Sequence, residues 1–271
     1  MSSKYSAPPI TTDLGVDERR QILVDALTED DPRPALWSLC DSGMADEVVP
    51  EIPALRLEQD PIHRHKDVLA HTIAVTAKTS PDLRLRLAAL FHDVGKPATR
   101  SFESGAVTFH HHEAVGAKMT KARLRELGFE REMVRDVADL VRMSGRFKGY
   151  SDGWSDSAVR RYARNAGHLL GTLNELIRCD CTTRNRAKAE RIQQQMDELE
   201  FRIVALAKED QRARERPQLD GKAVMDRLGI EAGREVGEAL KFLLALKRAE
   251  GELPIEEVEA RLDDWWAKRN G

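Results

Sequence analysis

The sequence predicts an all-α protein, a helical bundle followed by a smaller C-terminal helical region. Three observations carry that expectation. The strong helix formers Ala, Leu, Glu and Arg are abundant, whereas aromatic residues make up only 5% of the 271 residues. Apolar residues recur at a helical period between Gly and Pro stops. No convincing hairpin signal is visible, and residues 106–109 read at most as one short strand. The length suffices for a hydrophobic core without staples and suggests one or two domains of roughly 100–200 residues.

The elements follow in order. Residues 1–16 are polar, hold two prolines and show no period, so they read as a mobile tail. An N-terminal helical segment is expected over 17–62. In it Asp17 caps a helix over 18–27 with Ile22, Leu23 and Leu27 on one face. Shorter helices follow over 32–39 and 44–49, broken at Ser42-Gly43 and Pro50. A central domain is expected over 63–206. Asp67 caps a helix to Lys78, and Ser80-Pro81 opens another over 82–92, stopped by Gly95 and Pro97. Residues 101–107, with Gly105, read as a loop. Helices are expected over 110–127, ending at Gly128, and over 131–143, then a Gly-rich stretch over 144–155. Two more follow over 156–165 and 168–179, and Thr182 or Thr183 caps a long charged helix to about Arg214. The C-terminal region, 207–271, reads as three amphipathic helices over 219–228, 235–250 and 255–268, punctuated by Gly229, Gly233, Gly251 and Pro254.

Composition excludes several function classes. No apolar run approaches the ~18 residues of a membrane span, and no signal-peptide pattern opens the chain. Met1-Ser2-Ser3 and the polar tail read as a natural or deliberate start, with a piece of a longer enzyme as the alternative. The net charge of −3, from 43 basic and 46 acidic residues, gives no whole-molecule attraction to nucleic acid, though local patches remain open. Three cysteines (Cys40, Cys179 and Cys181) rule out a disulfide framework and point to a reducing cytoplasm.

Seven of the eight histidines lie between His63 and His112. Within and beyond that window, His71 sits on one helix, His92 and Asp93 close the next, and Asp180 ends or follows a later one. Two imidazoles and two carboxylates make a shell for one divalent ion with positions left open. Neighbours on a helix diverge by about 100°, yet both can face one ion at a helix end, where the partial negative terminus favours a cation. His71 and Asp180 then come from other helices, as in metal sites inside bundles. A lone His-Asp pair is usually surface chemistry without consequence. Its company here is what counts: His71, the Gly95-Lys96 stop, the run His110-His111-His112-Glu113, and Asp180.

These residues carry a resemblance. HDVGK at 92–96, preceded by HTIAV at 71–75, resembles the signature of the HD-domain metal-dependent phosphohydrolases. The stretches LRLEQDPIHRHKDVLAHT, LRLRLAALFHDVGKPATR, FHHHEAVGA, GWSDSAVRRYARNAG, LIRCDCTTRN and LDGKAVMDRLGIEAG are similar to the C-terminal portion of CCA-adding tRNA nucleotidyltransferases of the actinobacterial type. The similarity runs from about Leu36 to Trp266. It implies an all-helical HD fold over 63–206, a tRNA-binding body over 207–271, and metal ligands at His71, His92, Asp93 and Asp180. It also implies one ion of the Mn, Mg, Co or Ni class, and makes Asp93 both ligand and partner of the nucleophilic water.

The chain departs from that pattern twice. No strand with a paired Asp-x-Asp, which the nucleotidyltransferase head uses for two Mg²⁺, is seen. Glu29-Asp30-Asp31 and Asp263-Asp264 read as solvated surface. Where relatives carry an auxiliary His that partners the equivalent of His112, this chain reads Leu140-Val141-Arg142-Met143-Ser144-Gly145-Arg146-Phe147, so one metal is expected.

Further residues carry two readings each. Lys96 is a phosphate contact or a surface lysine. His111 and His112 donate to phosphate, and His112 is the expected general acid; His110 reads as surface. Arg100 and Arg146 are weaker phosphate candidates. His63 orients the segment before the metal helix, His65 is exposed, and His168 is an ordinary helix-start residue. Cys179 and Cys181 suit core packing better than a four-ligand zinc site. Trp265-Trp266 docks the last helix, with base stacking as the remote alternative. Residues 182–216 hold nine basic and seven acidic residues, net +2, so Arg184, Arg186, Lys188 and Arg191 form a solvated helix face first and a tRNA track second. Arg160, Arg161 and Arg164 carry the same two readings.

The expected function is hydrolysis of a phosphomonoester or phosphodiester, in a nucleotide or a phosphorylated RNA end, by a metal-activated water. The alternative is a non-catalytic tRNA- or partner-binding module. The expected partners are the nucleotide or RNA end and tRNA, with no membrane.

Overall fold

The computed structural model describes residues 13–57, 67–103, 106–181 and 185–270. The expectations for residues 1–12, His63, His65, Gly105, Thr182, Thr183 and Arg184 lie outside the described residues. The fold is all-α apart from one small hairpin. The helices are α1 (Val16–Thr28), α2 (Arg33–Asp41), α3 (Met44–Val48), α4 (Val68–Lys78), α5 (Leu83–Phe91) and α6 (Lys96–Thr99). Then come α7 (His112–Glu126), α8 (Arg131–Met143), α9 (Asp156–Ala166), α10 (Leu170–Asp180) and α11 (Arg186–Arg214). The chain closes with α12 (Gly221–Leu228), α13 (Arg234–Glu250) and α14 (Ile255–Asn270). No helix among the described residues is long and apolar enough to cross a membrane.

The chain divides into two compact units, Met1–Ile203 and Val204–Gly271. In the first, α5 is the central rod. Every residue from Leu85 to Phe91 is buried, because α1, α4, α7, α8 and α10 all pack against it. A helix enclosed on all sides has no polar stripe to show. Its entry is fixed by Asp82, whose carboxylate accepts the Leu85 N–H at 2.8 Å. Asp67 does the same for α4, accepting the Leu69 N–H at 2.9 Å. α7 and α8 form an antiparallel pair. Between them Gly128 adopts φ +69°, and its N–H and that of Phe129 close a Schellman cap on the carbonyls of Arg125 and Leu124.

Arg86 and Arg123 are the most completely buried long polar side chains described in this unit. Arg86 reaches back to the end of α1 and donates to the carbonyls of Leu27, Glu29 and Asp30, satisfying acceptors that the helix end leaves open. Arg123 pairs with Glu51 at 2.9 Å, both fully shielded from water. In the second unit α12, α13 and α14 enclose Leu219, Val224, Val236, Ala239, Leu243, Val258 and Leu262. Trp265 stacks on Phe242 with ring centroids 5.0 Å apart, so it docks the last helix.

Several boundaries differ from expectation. α1 begins at Val16, not after an Asp17 cap. The Gly15 N–H donates to the Glu18 carboxylate at 2.7 Å, and Asp17 lies in the first turn paired with Arg20, where the helix dipole favours an acid. The loop expected over 101–107 contains strand β1 (Arg100–Glu103), antiparallel to β2 (Ala106–Phe109), with Ser101 opposite Thr108 and Phe102 opposite Val107. Four residues a strand show too few alternations to read as a period. α7 starts at His112, because His111 takes the left-handed conformation, φ +61°. The Gly-rich stretch is a 3₁₀ helix over Ser144–Asp152.

Candidate metal centre

Four side chains from three separate stretches meet near α4, the end of α5 and the end of α10. His71 comes from the second turn of α4, whose other faces are buried by Leu69, Thr72 and Ile73. His92 follows α5 directly and is buried. Its Nδ1 lies 2.7 Å from the Ala89 carbonyl. A carbonyl only accepts, so that bond fixes a proton on Nδ1 and turns Nε2 to the cluster. Asp93 sits in the next turn, tied by a backbone bond from the Lys96 N–H to its carbonyl at 2.9 Å. Asp180 is the last residue of α10 and is half-buried.

The distances between donor atoms are short and similar. His71 Nε2 lies 3.0 Å from Asp180 Oδ1 and 3.2 Å from His92 Nε2. His92 Nε2 lies 3.2 Å from Asp93 Oδ2 and 3.6 Å from Asp180 Oδ1. His71 Nε2 lies 3.6 Å from Asp93 Oδ2. The ligand atoms of His71, His92 and Asp180 all fall within 4.8 Å of one another. Donors bound to one ion at ~2.1 Å stand about 3.0 Å apart at right angles and about 3.4 Å apart at the tetrahedral angle. His71, His92 and Asp180 therefore have the donor set and spacing of a divalent-cation site, and Asp93 stands beside them, bonded to Lys96.

Electrostatics agree with the geometry. Burial pulls the His92 imidazole down, but the Asp93 and Asp180 carboxylates outweigh it and hold it up at about 10. Burial raises Asp93, yet His92, Lys96 and His71 together hold it well below the usual carboxylate range. Asp180 is likewise held far down against its burial by hydrogen bonds from His71 and His92. Two ionised carboxylates thus hold positive charge between them.

Around this cluster stand Lys96 and His112. The Lys96 ammonium, itself buried, donates to Asp93 Oδ2 at 2.6 Å. His112 opens α7, with Nδ1 2.8 Å from the Phe109 carbonyl at the end of the hairpin and Nε2 3.6 Å from Asp93 Oδ1. Burial pushes its pKa down. Gly95 makes this closeness possible. A Cβ there would lie 2.1 Å from the His112 carbonyl oxygen and 2.7 Å from the Gly116 nitrogen. The sequence shows Gly95 only as a helix stop; that α7 passes against it is a tertiary fact.

The cavity over the cluster measures about 160 Å³, and Ser144, Gly145 and Lys148 complete its wall. Lys148 escaped the reading of the sequence, which chose Arg146 instead. A 3₁₀ helix has three residues per turn, so residues 145 and 148 share a face and Arg146 points elsewhere. Arg146 is exposed and lines neither this cavity nor its neighbour. Arg100 and His111 are also exposed and outside the cavity. Arg100 lies over the Phe102 ring instead, 5.3 Å from its centroid. Gly145 faces Glu113, whose Oε1 would be 1.9 Å from a Cβ on residue 145.

Other sequence candidates find structural partners. Asp31 pairs with Arg33 and Asp263 with Arg227. Cys179 is half-buried, its thiol on the Lys78 carbonyl. His168 is 3.1 Å from the buried Asp136 carboxylate, so it anchors α8 as well as opening a helix turn.

A helical bundle that gathers His71, His92 and Asp180 from three helices around one cation-sized space, with Asp93 beside them, points to a class of protein. The HD domain model matches residues 68–213, more than half of the chain, and the chain belongs to the HD domain family. It is 35% identical over 229 residues to the CC-adding tRNA nucleotidyltransferase of Thermus thermophilus, covering 81% of this chain and 49% of that protein. It is 33% identical over 232 residues to the A-adding tRNA nucleotidyltransferase of Deinococcus radiodurans, covering 82% and 52%. The chain therefore spans about half the length of these curated relatives.

Proposed function

We propose that this chain is a metal-dependent phosphohydrolase acting on a phosphomonoester or phosphodiester in a nucleotide or RNA end. The observation that carries the reading is the convergence of His71, His92 and Asp180, with Asp93 Oδ2 3.2 Å from His92 Nε2 and 3.6 Å from His71 Nε2. In this reading those four side chains hold one divalent ion of the Mn, Mg, Co or Ni class. A bound ion supplies Lewis-acid polarisation of a phosphoryl oxygen and a more acidic water.

The chain's own residues supply the rest. Asp93, kept ionised by its basic neighbours, accepts a hydrogen bond from the attacking water and orients it. Lys96 screens Asp93 and presents positive charge toward phosphate. His112 spends Nδ1 on the Phe109 carbonyl, so its neutral ring offers Nε2 as the proton-transfer atom, taking a proton from water and returning it to the leaving oxygen. Arg100, His111 and Arg146, outside the cavity, make no contact with the reacting phosphate in this mechanism.

The test is direct. Metal analysis of the purified chain should find about one divalent ion per chain after loading with Mn²⁺ or Ni²⁺. The loaded protein should hydrolyse nucleotides or bis(p-nitrophenyl) phosphate, and Asp93→Ala should lower turnover by at least about 10²-fold. Refusal to take up any divalent ion would sink the proposal.

A second reading rests on the relatives, which are named for adding nucleotides to tRNA. In it residues 207–271 form a tRNA-binding region and the cluster is structural. Salt-dependent tRNA binding without hydrolysis by the loaded protein would favour it.

A further inference from the structure

A second cavity opens beside the cluster. It measures about 430 Å³, the size of small-molecule sites. Ser144, Lys148 and Asp180 line both cavities, so the larger one is the continuation of the smaller. Its floor is apolar. Phe147 and Ile177 are buried there, with Ile192 half-buried beside them. Phe147 is stiffened by stacking on Tyr150, 5.3 Å away at 15°. Its rim is cationic. Lys188 and Arg191, exposed on the first turns of α11, join Lys148. Lys148 is 3.4 Å from Glu113, while Asp180 is the one carboxylate on the cavity wall among the described residues and already faces the histidines.

An apolar floor beneath a cationic rim, opening onto a phosphate-sized space, matches one ligand chemistry. We propose that this groove between the 3₁₀ helix, α10 and α11 is the nucleoside subsite, and that it determines substrate specificity. The base lies against Phe147, Ile177 and Ile192. Lys188 and Arg191 take the charge of a second phosphate or the next backbone phosphate. The inference deepens the proposed hydrolase reading and rests on it for the position of the scissile phosphate. It does not rest on it for the binding itself. Sugar-sized or aryl phosphates fill only the 160 Å³ cavity, so the groove separates nucleotides from generic phosphoesters.

The binding arm uses the full chain without added metal and isothermal titration. Adenosine monophosphate should bind at least tenfold more tightly than ribose 5-phosphate, and Ile192→Ala should erase most of that advantage. The double variant Lys188→Glu/Arg191→Glu, on an exposed helix face, should weaken adenosine diphosphate or a short RNA ending in a 3′-phosphate at least tenfold. Whichever of these two binds more tightly identifies the source of the nucleotide. The kinetic arm loads the protein with Mn²⁺. In the double variant the ratio of kcat/KM for the nucleotide to that for p-nitrophenyl phosphate should fall at least tenfold, mostly through KM. Equal affinity for adenosine monophosphate and ribose 5-phosphate in the unaltered chain, or an unchanged ratio in the double variant, overturns the subsite. Hydrolysis of nothing at all, with nucleotide binding intact and sensitive to the variants, overturns the hydrolase reading and leaves the subsite standing.

Discussion

At the scale of single residues, two glycines in the site separate necessity from convenience. A methyl on Gly95 meets backbone, the His112 carbonyl at 2.1 Å and the Gly116 nitrogen at 2.7 Å. Backbone in a packed helix pair has nowhere to go. Gly95→Ala should destabilise the protein by about 1–3 kcal/mol and weaken metal uptake, measured by urea unfolding and metal titration. A methyl on Gly145 meets only the end of the Glu113 side chain, at 1.9 Å, which swings aside toward solvent. Gly145→Ala should cost well under ~1 kcal/mol. Unequal costs in the reverse order would contradict the packing described. The nearness of His71, His92, Asp93 and Asp180 was legible from residue type, position near helix ends and the resemblance. Lys148 was not, because a 3₁₀ period within a Gly-rich stretch carries no signature that separates it from a loop.

At the scale of elements, some caps were legible and buried polar contacts were not. Asp67 announces α4 because an acidic N-cap acts within three residues, whereas Asp17 lies inside α1 and Asp82, expected inside its helix, caps α5. Arg86 and Arg123 look like surface residues in a helical pattern, yet both are fully buried. Arg86 reaches Leu27, Glu29 and Asp30, and Arg123 reaches Glu51 as well as the nearby Glu126. Breaking a buried pair leaves an uncompensated charge. Arg123→Ala should therefore cost about 3–5 kcal/mol, whereas Glu51→Leu/Arg123→Met together should cost much less. A double-mutant cycle in chemical denaturant checks this. The β1–β2 hairpin was hidden by its brevity, although it is what delivers Phe109 to His112.

At the scale of the whole molecule, acid sensitivity and metal linkage test how the bundle is held. The Asp136 carboxylate is shielded from water on α8. Burial works against its charge, but His168 and the Arg84 and Arg135 guanidiniums outweigh burial and hold its pKa below the ordinary value. A lowered folded-state pKa means stability that is present above the unfolded pKa of about 3.9 and lost as pH falls through the folded value. Thermal melts from pH 6 to pH 3 should show this loss, and Asp136→Asn should flatten it while lowering stability at pH 6. A divalent ion that binds only the folded cluster should raise the melting temperature with concentration, equivalent to about 2.7 kcal/mol at a hundred times its Kd. His92→Ala should abolish that shift.

The sequence by itself determined the helical class, most helix boundaries, and the residue types of the cluster. These depend on periodicity, caps and stops that act over one or two turns, and on a resemblance carried by short motifs. Only the tertiary structure decided that Asp93 bonds Lys96, that His112 closes over both because Gly95 has no side chain, and that an apolar groove with a cationic rim adjoins the cluster. The approach of α7 to Gly95 and the walls of the groove join residues from separate helices. No local pattern encodes such distances, since helix packing is set by side-chain shape at contacts that the chain order does not reveal.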